Sequence, residues 1–288
     1  MESFAELPVE EKFKIVSGFL LESPPGEVNE VYNDLKVLMG DEEEFERGIK
    51  PALQQHNNEQ YIVATLPEKN NKVIVSKYGQ IGEIEDDLYL DPRSQQTFKF
   101  EHVRHTVTDV QPYPVDSAIE PLRAAIDTAI IEYVTDHYPN GVSSVYSTDD
   151  NSTLSITIVD NKYNPHNLWN GRWRSTWVIS PESNELKGTI KVNVHYFEDG
   201  NVQLNASKEI EITASPNSEE PADKAKAYAK SISNAEDEFQ GSLNESYIDL
   251  SENTFKGLRR ALPLTRHKLD WDKILNYKIG QELANKAT

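Results

Sequence analysis

The 288 residues carry 48 acidic and 29 basic side chains, a formal charge of −19, which argues against nucleic-acid binding because phosphate contacts draw on clustered Lys and Arg. No cysteine is present, so a disulfide frame, a thiolate zinc site and a cysteine nucleophile are all excluded. No hydrophobic run reaches the ~20 residues of a membrane-crossing helix, and the acidic start MESFAELPVEEKFKIVSGFL disfavours a secretory signal.

The first sixty residues read as three short helices. Phe13, Val16, Phe19 and Leu20 recur at helical spacing, and Val28, Val31, Leu35 and Leu38 follow the Ser23-Pro24-Pro25-Gly26 break. A third stripe, Phe45, Ile49 and Leu53, follows Asp41 as N-cap, so an antiparallel bundle is expected. Between 60 and 110 the period changes to β-like runs, YIVATL, KVIVSKY and FKFEHVRHTVTDV. After Pro112, Pro114 and Pro121 a helix carries Ile119, Leu122, Ile126, Ala129, Ile130 and Val134 on one stripe, up to Tyr138-Pro139-Asn140-Gly141.

Strands are expected at 142–147, 153–159, 172–179, 189–197 and 201–212, and their short connections favour an antiparallel meander. Leu154, Ile156 and Ile158 share a face, as do Val192, Val194 and Tyr196, and Val202, Leu204 and Ala206. Residues 222–256 step through Ala225, Ala229, Ile232, Phe239, Leu243, Tyr247 and Leu250 as one long helix, unless Gly241 and Ser242 break it. Such a helix would extend roughly 50 Å, about twice the width of a five-stranded sheet, so a second chain supplying further strands is expected.

Catalytic and metal chemistry find little support, and no cofactor site is expected. His102-Val103-Arg104-His105 is the one close histidine pair, and on a strand its offset of three points the rings to opposite faces. His166 and His195, the latter with Asp199 across a hairpin, have no nucleophile or oxyanion device beside them. Asp149-Asp150-Asn151 lacks the downstream glutamate of a calcium loop, and no phosphate-binding glycine motif occurs. In Trp169-Asn170-Gly171-Arg172-Trp173-Arg174-Ser175-Thr176-Trp177, Trp173 and Trp177 are expected in the core under the long helix, with Arg172 and Arg174 on the opposite face toward acidic neighbours.

The charge is uneven. Residues 255–288 hold eight Lys and Arg against three acids, leaving −24 on the rest. Pro263 ends any helix running out of the preceding segment, and from about Thr265 Trp271, Leu275, Ile279 and Leu283, beside Ile274, form an apolar stripe on a basic amphipathic helix suited to a partner's groove or a membrane surface.

Three segments, VNVHYFEDGNVQL at 192–204, NPHNLWNGRWRSTW at 164–177 and FKGLRRALPLTRHKLDWDKILNYKIGQEL at 255–283, resemble the alpha subunit of the F-actin-capping protein. The resemblance implies an α+β subunit with an N-terminal helical stalk (1–59), a short β-strand region (60–111), a helix plus central antiparallel sheet shared with a partner (112–221), a long helix across that sheet (222–256) and a C-terminal actin-binding tentacle (257–288). It implies an obligate heterodimer with a beta subunit that caps the barbed end of actin filaments without calcium. Its setting would be the cytoplasm, on the actin cytoskeleton of the cell cortex or actin patches, with phosphoinositides and capping regulators as further partners. Carried onto this sequence, the actin contact falls to Lys256, Arg260 and Arg266, with Arg259 and Lys268 as neighbours and Trp271, Ile274 and Leu275 as the apolar face; His267 departs from the small polar residue expected there. The competing reading is an anionic-lipid or scaffold protein using the same basic helix.

Overall fold

The computed structural model describes residues 7–40, 42–67, 71–83, 86–115, 117–148, 152–198 and 201–249. Two units divide at Glu236, Met1–Glu236 and Asp237–Thr288. The first opens with three helices, α1 (Val9–Leu21), α2 (Val28–Met39) and α3 (Glu42–Gln60). Val16 and Leu20 of α1, Val28 and Leu35 of α2, and Phe45, Ile49 and Leu53 of α3 close one core. Each such side chain contributes roughly 1.5–3 kcal/mol by leaving water. Phe19 and Leu38, expected on the same stripes, are instead 58% and 80% exposed, because the buried arc of each helix is narrower than the apolar set in its sequence. The expected cap Asp41 lies outside the described residues. Gly26 turns the α1–α2 loop at φ +82°, and a side chain there would collide with the Tyr163 ring.

A two-stranded ribbon, β1 (Val63–Thr65) and β2 (Lys72–Ile74), follows α3, and then a three-stranded antiparallel sheet, β3 (Leu88–Asp91), β4 (Gln96–Glu101) and β5 (Thr106–Pro112). The run FKFEHVRHTVTDV is therefore two strands and a turn. Glu101 makes that turn without Gly or Pro, because its carboxylate accepts the main-chain N–H of Val103 (3.1 Å) and Arg104 (2.5 Å). His102 is buried, and sits in the turn rather than on a strand. Asn57 of α3 donates to the His102 carbonyl at 3.0 Å, with its amide nitrogen 3.2 Å from His102 Nδ1, while His102 Nε2 stands 3.3 Å from the Tyr89 hydroxyl. With that amide orientation His102 is the neutral Nε2–H tautomer and His56 donates Nδ1–H to Asn57 Oδ1 (3.2 Å). Burial pushes both imidazoles down to about 4, against the opposing pull of Asp87 on His102 and of the Asn57 hydrogen bond on His56.

Helix α4 (Glu120–His137) leads into the main sheet: β6 (Val142–Ser147), β7 (Leu154–Asn164), β8 (Trp169–Ser180), β9 (Glu185–Tyr196) and β10 (Val202–Thr213). The strands are antiparallel neighbours in chain order, a plain meander. β7, β8 and β9 are longer than their alternation suggests. Asp160–Asn164 continues the ladder against Trp169–Trp173 although no period marks it, because the partner strand supplies its pairing.

Helix α5 (Pro221–Asp249) has 29 residues, about 44 Å, and runs unbroken through Gly241. Within the first unit its Ala225, Tyr228, Ile232 and Glu236 are buried. Glu236 is the anchor. Its carboxylate accepts Trp177 Nε1–H of β8 (2.9 Å), Tyr133 O–H of α4 (2.7 Å) and the Tyr138 O–H (2.5 Å), tying sheet and both helices to one charge. Burial and then the Glu236 charge hold the Tyr138 phenol far above its ordinary pKa. Across from Trp177 in register stands Gly188, where a Cβ would fall 2.4 Å from the indole.

Two outcomes follow from this packing. Glu236→Leu strands three buried donors and is expected to cost about 3 kcal/mol or more in denaturant unfolding, and Glu236→Gln clearly less. Because His56 and His102 titrate lower folded than unfolded, their contribution is fully present above pH 6.5 and is lost as pH falls toward 4. These two should add up to about two protons to the slope of unfolding free energy against pH in that window, with the half-buried His105 adding to it, and His102→Gln should remove one of them.

Candidate functional site

The sequence-derived actin contact, Lys256, Arg259, Arg260, Arg266, Lys268, Trp271, Ile274 and Leu275, lies outside the described residues, as does the expected tentacle helix. Tyr247 and Ile248, in the last described turn of α5, are exposed.

The Trp-rich segment forms most of β8, and its two faces do different work. Odd positions face α4 and α5. Trp177 is fully buried on Glu236, and Trp173 is half-buried with its ring centre 5.9 Å from that of Tyr138, as the sequence leads one to expect. Even positions face the stalk. Asn170 donates to Glu27 before α2 (3.3 Å), and Arg172 donates to Gln60 at the end of α3 (2.9 Å). Arg174 donates to the Glu59 carbonyl, and the Thr176 hydroxyl meets that of Tyr61. Four successive even residues of one strand thus bond to the helical region, a ladder that fixes stalk to sheet. Of the expected acidic neighbours, Glu59 is near Arg174 and pulls on its charge, but the groups that Arg172 and Arg174 hydrogen-bond are neutral. Arg172 also binds Asn161 Oδ1 (2.7 Å) and the Tyr163 hydroxyl (2.8 Å), and Arg174 binds Asn193 Oδ1 (2.6 Å), all neutral acceptors.

His195 does have a carboxylate partner, although not across its hairpin. Its Nδ1 lies 2.5 Å from Glu27 Oε1 and its Nε2 3.0 Å from Asn201 Oδ1; Asp199 lies outside the described residues. A contact spanning 168 positions leaves no local signal in the sequence. Among the described residues no group of His, Asp and Glu could hold a metal ion, and no helix is long and apolar enough to cross a membrane.

The two edges of the main sheet differ. β6 is buried along almost its whole length, with the β1–β2 ribbon packed at its side. β10 is the other edge, and its outer main-chain groups have no neighbouring strand among the described residues. Val202 and Leu204 are 63% and 43% exposed, and the Tyr196 and Val194 opposite them in register are open or half-open. The even residues of β9 and β10 share the sheet face that α5 covers at Trp177, so this is apolar core surface without a cover among the described residues.

The chain matches a sequence profile described as "F-actin capping protein alpha subunit" over residues 16–282. Among curated relatives, the F-actin-capping protein subunit alpha of Neurospora crassa is 37% identical over 270 residues, 94% of this chain and 96% of that protein. That of Caenorhabditis elegans is 36% identical, covering 97% and 99%, and that of Dictyostelium discoideum 36%, covering 95% and 98%. A solved structure of the homodimeric actin capping protein alpha subunit from Plasmodium berghei superposes with a TM-score of 0.74 at 26% identity, over 90% of this chain and all of that one. The mixed helix-and-sheet architecture, the antiparallel sheets and the near full-length sequence match agree, and the chain belongs to the F-actin capping protein alpha subunit family.

Proposed function

We propose that this chain is the alpha subunit of a heterodimeric, calcium-independent capping protein that occupies the barbed end of actin filaments and blocks subunit exchange there. The observation that carries the reading is the family match, which spans the stalk, the sheet and the basic tail through residue 282. The open β10 edge supports the partner. An antiparallel strand from a beta subunit would satisfy its outer main-chain groups, and a helix of that subunit would cover Val202, Leu204 and Tyr196, continuing the sheet across both chains. The Plasmodium berghei relative is described as a homodimer, so an alpha-type chain can itself sit in a two-chain assembly.

Actin contact is assigned to Lys256, Arg260 and Arg266, reinforced by Arg259 and Lys268, with Trp271, Ile274 and Leu275 seating an amphipathic tentacle. The chemistry is electrostatic and steric rather than catalytic: a cationic segment leads an otherwise anionic body onto an acidic filament and then occludes the terminal protomers. Cytoplasmic action at the cortex or in actin patches follows from that substrate.

In a seeded pyrene-actin assay, Lys256→Ala combined with Arg260→Ala and Arg266→Ala should weaken capping at least tenfold while the complex stays folded by circular dichroism. Equal affinity of variant and parent would remove this site. Raising salt should slow the parent's association, since a Debye length of about 8 Å at physiological ionic strength screens steering. Separately, Val202→Lys with Leu204→Lys should abolish recovery of the beta subunit on co-purification, because the two lysines would be buried by the added strand and its covering helix.

A further inference from the structure

Between the last turns of α3 and the stalk-facing side of β8 and β9 lies a cavity of about 760 Å³, whose lining includes Gln55, Glu59, Lys77, Arg174, Thr189 and Lys191. Three cations thus meet one carboxylate, Glu59, which is already engaged by the Gln55 amide at 2.8 Å. Arg174 and Lys191 are directly opposite in the β8–β9 register, a like-charge pair that a sheet disfavours, and Arg172 is the next residue on the same face. Arg172 and Arg174 are only 5% and 7% exposed, and the Nε of Arg174 makes no hydrogen bond. Among the described residues no carboxylate stands within 4.0 Å of the charged nitrogens of Arg172, Arg174, Lys77 or Lys191. Burial, and then the charge of Arg172, push Arg174 down to about 10, against the weaker pull of Tyr61 and Glu59. A buried guanidinium pair with no carboxylate in ion-pair contact is costly, and the chain keeps it although its net charge is −19.

The side from which the counter-charge comes is set by position. Lys191 pairs with Ser207 of β10, so the cationic row runs straight to the open sheet edge, one strand away. We propose that a carboxylate side chain of a second polypeptide, joined to this chain along β10, enters the cavity and pairs with Arg174 and Lys191. This rests on the shared-sheet reading above and adds to it a specific ionic contact on the opposite, stalk-facing side of the sheet, away from the apolar surface at Val202 and Leu204. The occupant is an acidic residue of the partner because charge complementarity demands an anion and Lys191, on the cavity wall, stands one strand in from the edge to which that partner would attach.

The test is the dissociation rate of the full-length complex with the beta subunit, read by exchange of a fluorescently labelled chain. Lys191 is exposed and makes no hydrogen bond or ion pair, so substituting it leaves the fold of this chain intact. Lys191→Glu, which places a competing carboxylate opposite Arg174, should speed dissociation at least tenfold, and Lys191→Arg should restore the parental rate. Exchange of Lys191→Glu at the parental rate would overturn the proposal while leaving the shared sheet in place. Slowing of the parent's dissociation by citrate at fixed ionic strength, without the same response in Lys191→Glu, would assign the cavity to a free small anion and overturn the partner as its source. A parent chain that forms no complex at all would refute the shared sheet first, and this contact with it.

Discussion

An antiparallel sheet with one covered edge and one bare edge is an unfinished structure, and most of what is distinctive here follows from it. β6 is closed by burial, whereas β10 has no neighbouring strand among the described residues and leaves Val202 and Leu204 exposed. Soluble proteins blunt such edges with charge, proline or a covering element. β10 does so with Glu209 and Glu211 on its stalk-facing side and Lys208 on the other, but leaves the side shared with α5 apolar at its N-terminal end. A strand built this way is suited to pairing with another strand.

The remainder of the first unit is held so that this edge is presented rigidly. Glu236 gathers donors from β8, α4 and the residue after α4, so α5 cannot shift along the sheet without breaking three buried hydrogen bonds at once. On the other face, Asn170, Arg172, Arg174 and Thr176 bind the stalk at successive even positions of β8. A single strand therefore couples the helical region to the long helix through its two faces. For the occlusion proposed above, such stiffness is the useful property, since binding energy is not spent on ordering the body.

The sequence displayed these features unevenly. The meander was legible because Leu154, Ile156 and Ile158, and later Val202, Leu204 and Ala206, alternate with a clean period of two and are separated by short connections. Strand β3 was not, because Leu88–Asp91 is four residues long and carries too few alternations to register. The turn at His102 was hidden by the absence of Gly and Pro, its bend being supplied by the Glu101 carboxylate. Pairings such as Glu27 with His195, or Glu236 with Trp177, join residues far apart in the chain, which no local pattern can reveal. The tail was conspicuous through charge alone: eight cations in 34 residues single it out, but charge carries no geometry, and the roles of Lys256, Arg260 and Arg266 come from family resemblance. Arg172 and Arg174 show the converse. Their face was readable from strand parity, whereas their neutral hydrogen-bond partners depend on how the stalk docks.

The central claim is that this chain, completed by a second along β10, stops growth at one end of an actin filament. Imaging single filaments with marked polarity in the presence of nanomolar complex tests it most directly. The account predicts that barbed ends stop elongating while pointed ends continue at their ordinary rate; undiminished barbed-end growth, or equal slowing at both ends, would contradict it.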